Sequence, residues 1–162
     1  MTAVVGKGEI MKFAEETFIS STFWTERIGS VAGLKTLEVM EKIQSWKIID
    51  SIGKKIINKW KKIASDNNVK IDIFGLPALC TFRFKSENHL KYKTFLTQEM
   101  LKKNILASNV IYLSVAHDKK MIDKYFVTLE KIFKKINQCE NENLDISALL
   151  ETSKCISGMR DK

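Results

Sequence analysis

Between Val69 and Phe84 the apolar residues of this chain recur every second position instead of every third or fourth, and that switch limits the architectures open to it. Val69, Ile71 and Ile73 alternate with Lys70 and Asp72, the pattern of a strand with one face buried. Gly75-Leu76-Pro77 interrupts the pattern, and Ala78 to Phe84 resumes it. There Cys80, Phe82 and Phe84 share one face, and Leu79, Thr81 and Arg83 share the other. So short a break joins antiparallel neighbours, because parallel strands need a long crossover.

On both sides of this hairpin the spacing is helical. Val31, Leu34, Leu37, Met40 and Ile43 recur every three residues from about Ile28. A second stripe follows Trp46 (Ile49, Ile52, Ile56, Trp60, Ile63) and stops at the turn chemistry of Ser65-Asp66-Asn67-Asn68. Beyond the hairpin, a helix opens at Ser86 or Glu87 and runs to Lys103. Val110 to Val115 predicts a third strand, and Asp118 is placed to cap a last helix carrying Ile122, Tyr125, Phe126, Leu129, Ile132, Phe133 and Ile136. At the front, Ala3 to Val5 reads as the end of a buried strand closed by Gly6 and Gly8. Glu9 to Glu16 follows as a short helix and Ser20 to Thr25 as a loop. Past Asn137 polar residues dominate, and a loosely ordered tail is expected, with one weak helical turn between Leu144 and Leu150. The element order predicts an α+β fold: a roughly three-stranded, mainly antiparallel sheet covered by helices, preceded by a long helical segment.

Composition narrows the function classes. With 162 residues the chain can bury the core of one domain. No run reaches the roughly 18–20 apolar residues of a membrane span. The first residues lack a basic segment and an apolar stretch of signal-peptide length, so a cytoplasmic address and no membrane partner are expected. Cys80, Cys139 and Cys155 form no CxxC pair and read as small hydrophobes, and no metal site is expected. The net charge of +8 raises a nucleic-acid reading, with Lys54, Lys55, Lys59, Lys61 and Lys62 as its densest cluster. Those lysines fall opposite the apolar stripe, as a solvated helix face does. Arginine, the better reader of phosphate and bases, occurs only at positions 27, 83 and 160. A basic nucleic-acid-binding module is therefore kept only as an alternative.

There is no GxGxxG, P-loop, GxSxG elbow or HExxH in the chain. His89 sits in an amphipathic helix as a surface residue. His117, between the third strand and the last helix, suits a capping or packing role. Arg83 invites a role as a carboxylate clamp, but its place on a strand does not favour one. The residues by themselves describe an α+β domain without a stated chemistry.

Several passages, in order, add to that. Ala3-Val4-Val5-Gly6-Lys7-Gly8-Glu9-Ile10-Met11 is followed by Thr22-Phe23 and then Gly29-Ser30-Val31-Ala32-Gly33-Leu34-Lys35-Thr36-Leu37-Glu38. Phe74-Gly75-Leu76-Pro77, Ile105-Leu106-Ala107-Ser108-Asn109 and Leu113-Ser114-Val115-Ala116-His117 come later. Together, up to about residue 137, they resemble the C-terminal portion of the class III pyridoxal-phosphate-dependent aminotransferases, most of all the glutamate-1-semialdehyde aminomutase branch.

The resemblance implies the small C-terminal domain of the type I fold of these enzymes, with residues 1–27 as a remnant of the large cofactor-binding domain. Residues 28–137 would be the connecting helix and small domain, and 138–162 the polar tail. It implies pyridoxal 5'-phosphate as cofactor, with Thr22 on its phosphate across a dimer interface and Ser21 assisting. A hydroxyl and backbone N–H groups ahead of a helix start suit a phosphate dianion. Most of the family continues the threonine–aromatic pair with small residues and Asn-Pro, whereas this chain has Trp24-Thr25-Glu26-Arg27. Trp24 and Glu26 are thus candidates to line an altered pocket for a small amino or carbonyl substrate, with a Glu26–Arg27 pair as the competing arrangement. The Schiff-base lysine of the family lies upstream of the position of Met1, so no catalytic residue is assigned and the chain alone is expected to be inactive. The partner implied is a second copy or a chain carrying the N-terminal half. The alternative is a non-catalytic truncated remnant.

Overall fold

In the antiparallel pair β1 (Ile71–Phe74) and β2 (Leu79–Phe84) the alternation becomes geometry: Ile71 faces Phe84, Ile73 faces Phe82, and Phe74 faces Thr81. Cys80, Phe82 and Phe84 are buried, while Asp72, Phe74, Leu79 and Arg83 lie on the solvent side. Gly75 makes the turn at φ +91, a conformation open to glycine, and a Cβ there would meet the Leu79 carbonyl oxygen at 2.4 Å. The third strand, β3 (Val110–Tyr112), pairs antiparallel with β2, giving the order β1-β2-β3. The structure, a computed structural model, describes residues 4–17 and 26–156. Its contacts divide the chain into Met1–Ser45 and Trp46–Lys162.

The second unit holds the sheet and the core. Three helices cover the buried face: α3 (Ser45–Asp66, from Trp46 onward in this unit), α4 (His89–Leu101) and α5 (Lys119–Asn141). Ile56, Trp60 and Ile63 of α3 meet Phe95, Leu96 and Met100 of α4 and Leu129, Phe133 and Ile136 of α5 over Phe82 and Phe84. Trp60 packs its edge on Phe82, ring centroids 4.8 Å apart, and its Nε1–H donates to the Tyr125 hydroxyl at 3.0 Å. At the start of α5, Asp118 Oδ1 accepts from the Met121 N–H at 2.7 Å, the cap read from the sequence.

Residues 138–156 depart from the expected loose tail. Helix α5 continues to Asn141, and a 3-10 turn (Ile146–Leu149) follows with Ile146 buried and Asp145 as its cap. The segment is tied to α4 by the Gln98 side chain, which donates to the Leu149 carbonyl at 3.0 Å and accepts from the Glu151 N–H at 2.8 Å. Further along, the Cys155 N–H donates to Thr94 Oγ1 at 2.8 Å. Polar side chains of α4 thus satisfy a backbone that has no ladder of its own.

The first unit holds α1 (Gly8–Met11), a 3-10 turn (Lys12–Glu16) and α2 (Ile28–Ile43), which ends at Gln44 with φ 52. Val4 and Val5 are exposed and in no strand, against the expected buried strand end. Such a short run is buried only when a neighbouring strand takes its N–H and C=O groups, and none pairs with it among the described residues. No residue of α1 or α2 is buried.

Two buried phenols make the core sensitive to base. Tyr92 is held above the ordinary tyrosine range, first by burial and then by the Glu140 carboxylate that accepts its O–H. Tyr125 is raised by burial, the bond from Trp60 pulling weakly the other way. The unfolded chain releases these protons near the ordinary value of about 10 and the folded chain does not, so their stabilisation is complete below that pH and is lost above it. The Cys80 and Cys139 thiols, also raised by burial, add a loss of the same sign beginning near their ordinary value of about 8.5. Thermal melts should show a midpoint falling steadily above pH 9, and Tyr92→Phe should reduce that slope.

Candidate functional site

Ser21, Thr22 and Trp24 lie outside the described residues. Glu26 is described, and its chemistry is local. One carboxylate oxygen accepts from the Ile28 N–H and the other from the Gly29 N–H at 2.9 Å. These are orphan donors of the first turn of α2, where a negative side chain is also favoured by the helix dipole. Its described hydrogen bonds go to this backbone and not to Arg27. An anion brought to the same helix start would meet a carboxylate already there.

The other residues marked from the sequence lie in the second unit. Arg83 is exposed, with its guanidinium 3.4 Å from His89 Nε2, and His89 Nδ1 lies 3.2 Å from the Ser86 carbonyl. His117 turns back on its own loop. Its Nδ1 accepts the Ser114 N–H at 3.2 Å and lies 3.1 Å from Ser114 Oγ. The lysines of α3 face solvent; Lys54 pairs with Asp50 at 2.7 Å, and Lys59 stands 4.4 Å over the Phe126 ring. Among the described residues no group of three or more His, Cys, Asp or Glu could hold a metal ion, and no helix is long and apolar enough to cross a membrane.

Among the described residues no lysine is buried. With the first donors of α2 engaged by Glu26, these residues do not by themselves fit pyridoxal phosphate. Two groupings escaped the sequence. In one, Ser86 Oγ, at 2.7 Å, and the Tyr92 hydroxyl both donate to Glu140. The other is a cleft of about 520 Å³ between the β3 region and α5, lined by Ile56, Ile105, Ile111, His117, Met121 and Lys124 among others. Nothing in the linear pattern marks either, since each joins residues from separate elements.

No protein-family profile matches the chain. Over 99 residues it is 30% identical to the 3-aminobutyryl-CoA aminotransferase of Cloacimonas acidaminovorans (strain Evry), a stretch making 60% of this chain and 24% of that enzyme. The fold is similar to that of the FumI protein of Sphingopyxis sp. MTA144, solved in its pyridoxal phosphate internal aldimine form. The TM-score is 0.69 at 13% identity, covering 90% of this chain and 36% of that one. The chain therefore spans about a quarter of the curated relative and about a third of the structural neighbour. At 13% identity the second likeness speaks for the fold alone. The α+β architecture, a three-stranded antiparallel sheet covered by helices, is shared with about a third of that pyridoxal-phosphate-bound neighbour. Motifs, sequence likeness and fold agree: this chain is similar to the C-terminal portion of a pyridoxal-phosphate-dependent aminotransferase.

Proposed function

We propose that the chain acts as the C-terminal part of a class III aminotransferase or aminomutase, moving an amino group between a small amino compound and a carbonyl. The observation that carries this reading is the likeness over 99 residues to an aminotransferase. The cofactor, when bound, supplies the electron sink for that transfer. The chain's own share is binding. Thr22, with Ser21, holds the phosphate of the cofactor across a dimer interface. Trp24 borders the substrate, and Glu26 sits beside it on the start of α2. None of the lysines of this sequence is proposed as the Schiff-base lysine, so these 162 residues by themselves are proposed not to transaminate. Its setting is the cytoplasm.

Helix α2 supports the need for a partner. Ile28, Val31, Leu34 and Leu37 recur every third residue along a band that winds about half-way round the helix, and Leu34 is 69% exposed. An uncovered stripe of this kind marks an interface. The isolated chain should therefore bind a hydrophobic dye or self-associate in light scattering, and Leu34→Lys should reduce both. A dye-silent, monodisperse monomer would count against the uncovered interface.

The decisive test is reconstitution with a polypeptide bearing the lysine and the glycine-rich phosphate loop. Co-purification and cofactor-dependent transamination are expected. Thr22→Ala should weaken cofactor affinity by about tenfold or more, the worth of one charge-assisted hydrogen bond. Thr22→Ser should stay near the parent. Transamination by the chain alone would overturn the reading.

A further inference from the structure

We propose that the cleft between the β3 region and α5 binds a carboxylate carried on an apolar body, such as a medium-chain fatty acid. The proposal does not depend on the cofactor contact proposed for Thr22. The walls of the cleft are largely apolar, with Ile56, Ile105, Ile111 and Met121 among the residues that line it. Around the opening Leu106 is 92% and Tyr112 73% exposed, so large apolar groups face water beside a space of about 520 Å³. That volume lies within the range of small-molecule sites, about 300–1,000 Å³.

The polar groups of the cleft select the ligand's charge. A backbone N–H can only donate, so the bond from Ser114 N–H leaves His117 Nδ1 as the acceptor and puts the ring proton on Nε2. Among the described residues no hydrogen bond engages that Nε2–H, and no ion pair engages Lys124. No aspartate or glutamate lines the cleft. Asn104 and Tyr112 also line the cleft with groups that both donate and accept, but its one formal charge is the Lys124 ammonium. A cation would therefore meet a like charge and no carboxylate, and a neutral apolar molecule would leave that ammonium unused. An anionic head with an apolar tail satisfies donors and walls together.

The test uses the full chain with 13C-methyl methionine and octanoate as probe. The Met121 methyl resonance should shift saturably while those of Met11 and Met40 stay in place. Octanol, with the same tail and no charge, should bind about tenfold more weakly. Lys124→Gln, at an exposed position that leaves the fold intact by thermal melt, should weaken octanoate by about tenfold and leave octanol unchanged. A Met121 methyl that does not move overturns the proposal. So does a shift shared by all the methionines, equal affinity for octanoate and octanol, or a Lys124→Gln chain that binds octanoate as the parent does.

Discussion

Trp60→Ala is expected to cost the Trp46–Lys162 unit about 3–5 kcal/mol, the range for truncating a fully buried aromatic. Trp60 has no exposed surface and fills the space between α3 and the sheet. Its edge lies on Phe82, which in turn meets Phe84 and Phe133 at centroid distances of 5.3 and 5.9 Å, so the cavity opens at the centre of the aromatic cluster. The change also strands the Tyr125 hydroxyl, which is fully buried and bonded to Trp60 Nε1. Against a typical domain stability of about 5–15 kcal/mol, a large share of the molecules should be unfolded at moderate urea. Urea unfolding followed by circular dichroism measures this as a lower midpoint at unchanged slope. Phe74→Ala, on the exposed face of β1, should lower the stability by no more than about 0.5 kcal/mol.

Gly53→Ala should destabilise by about 1–3 kcal/mol or more, against the direction expected of an alanine in a helix. In a helix interior that exchange normally gains roughly 1 kcal/mol. Here the new Cβ would stand 2.1 Å from the Pro77 carbonyl oxygen and 2.9 Å from Pro77 Cα. Both are backbone atoms of the hairpin turn, so α3 would have to lift from the sheet it covers. The same urea measurement reads the effect. A gain in stability would show that α3 does not approach the turn so closely.

These two residues also mark how far the sequence could be read. Trp60 stands on a stripe with Ile52, Ile56 and Ile63, and its burial follows from helical spacing alone. Gly53 lies in the same helix, and only the turn at Pro77, distant in sequence, explains it. The hairpin, its register face and the Asp118 cap were legible because period, turn chemistry and capping are local. The docking of residues 138–156 was not, because Gln98 and Thr94 reach backbone groups more than fifty positions away. Glu26 could have been recognised as a helix-start residue from its place three positions before Gly29. The cofactor contact proposed for Thr22 rests on the family resemblance, and Thr22 lies outside the described residues.

The central claim is that these 162 residues supply the small domain and the phosphate contact, and that none of their lysines forms the Schiff base with the cofactor. Borohydride reduction in the presence of pyridoxal phosphate, followed by peptide mass mapping, tests it directly. The chain alone should show only scattered, substoichiometric labelling of its exposed lysines, and the reconstituted pair should carry one stoichiometric label on the added polypeptide. A single stoichiometric adduct on one lysine of this chain would contradict the account.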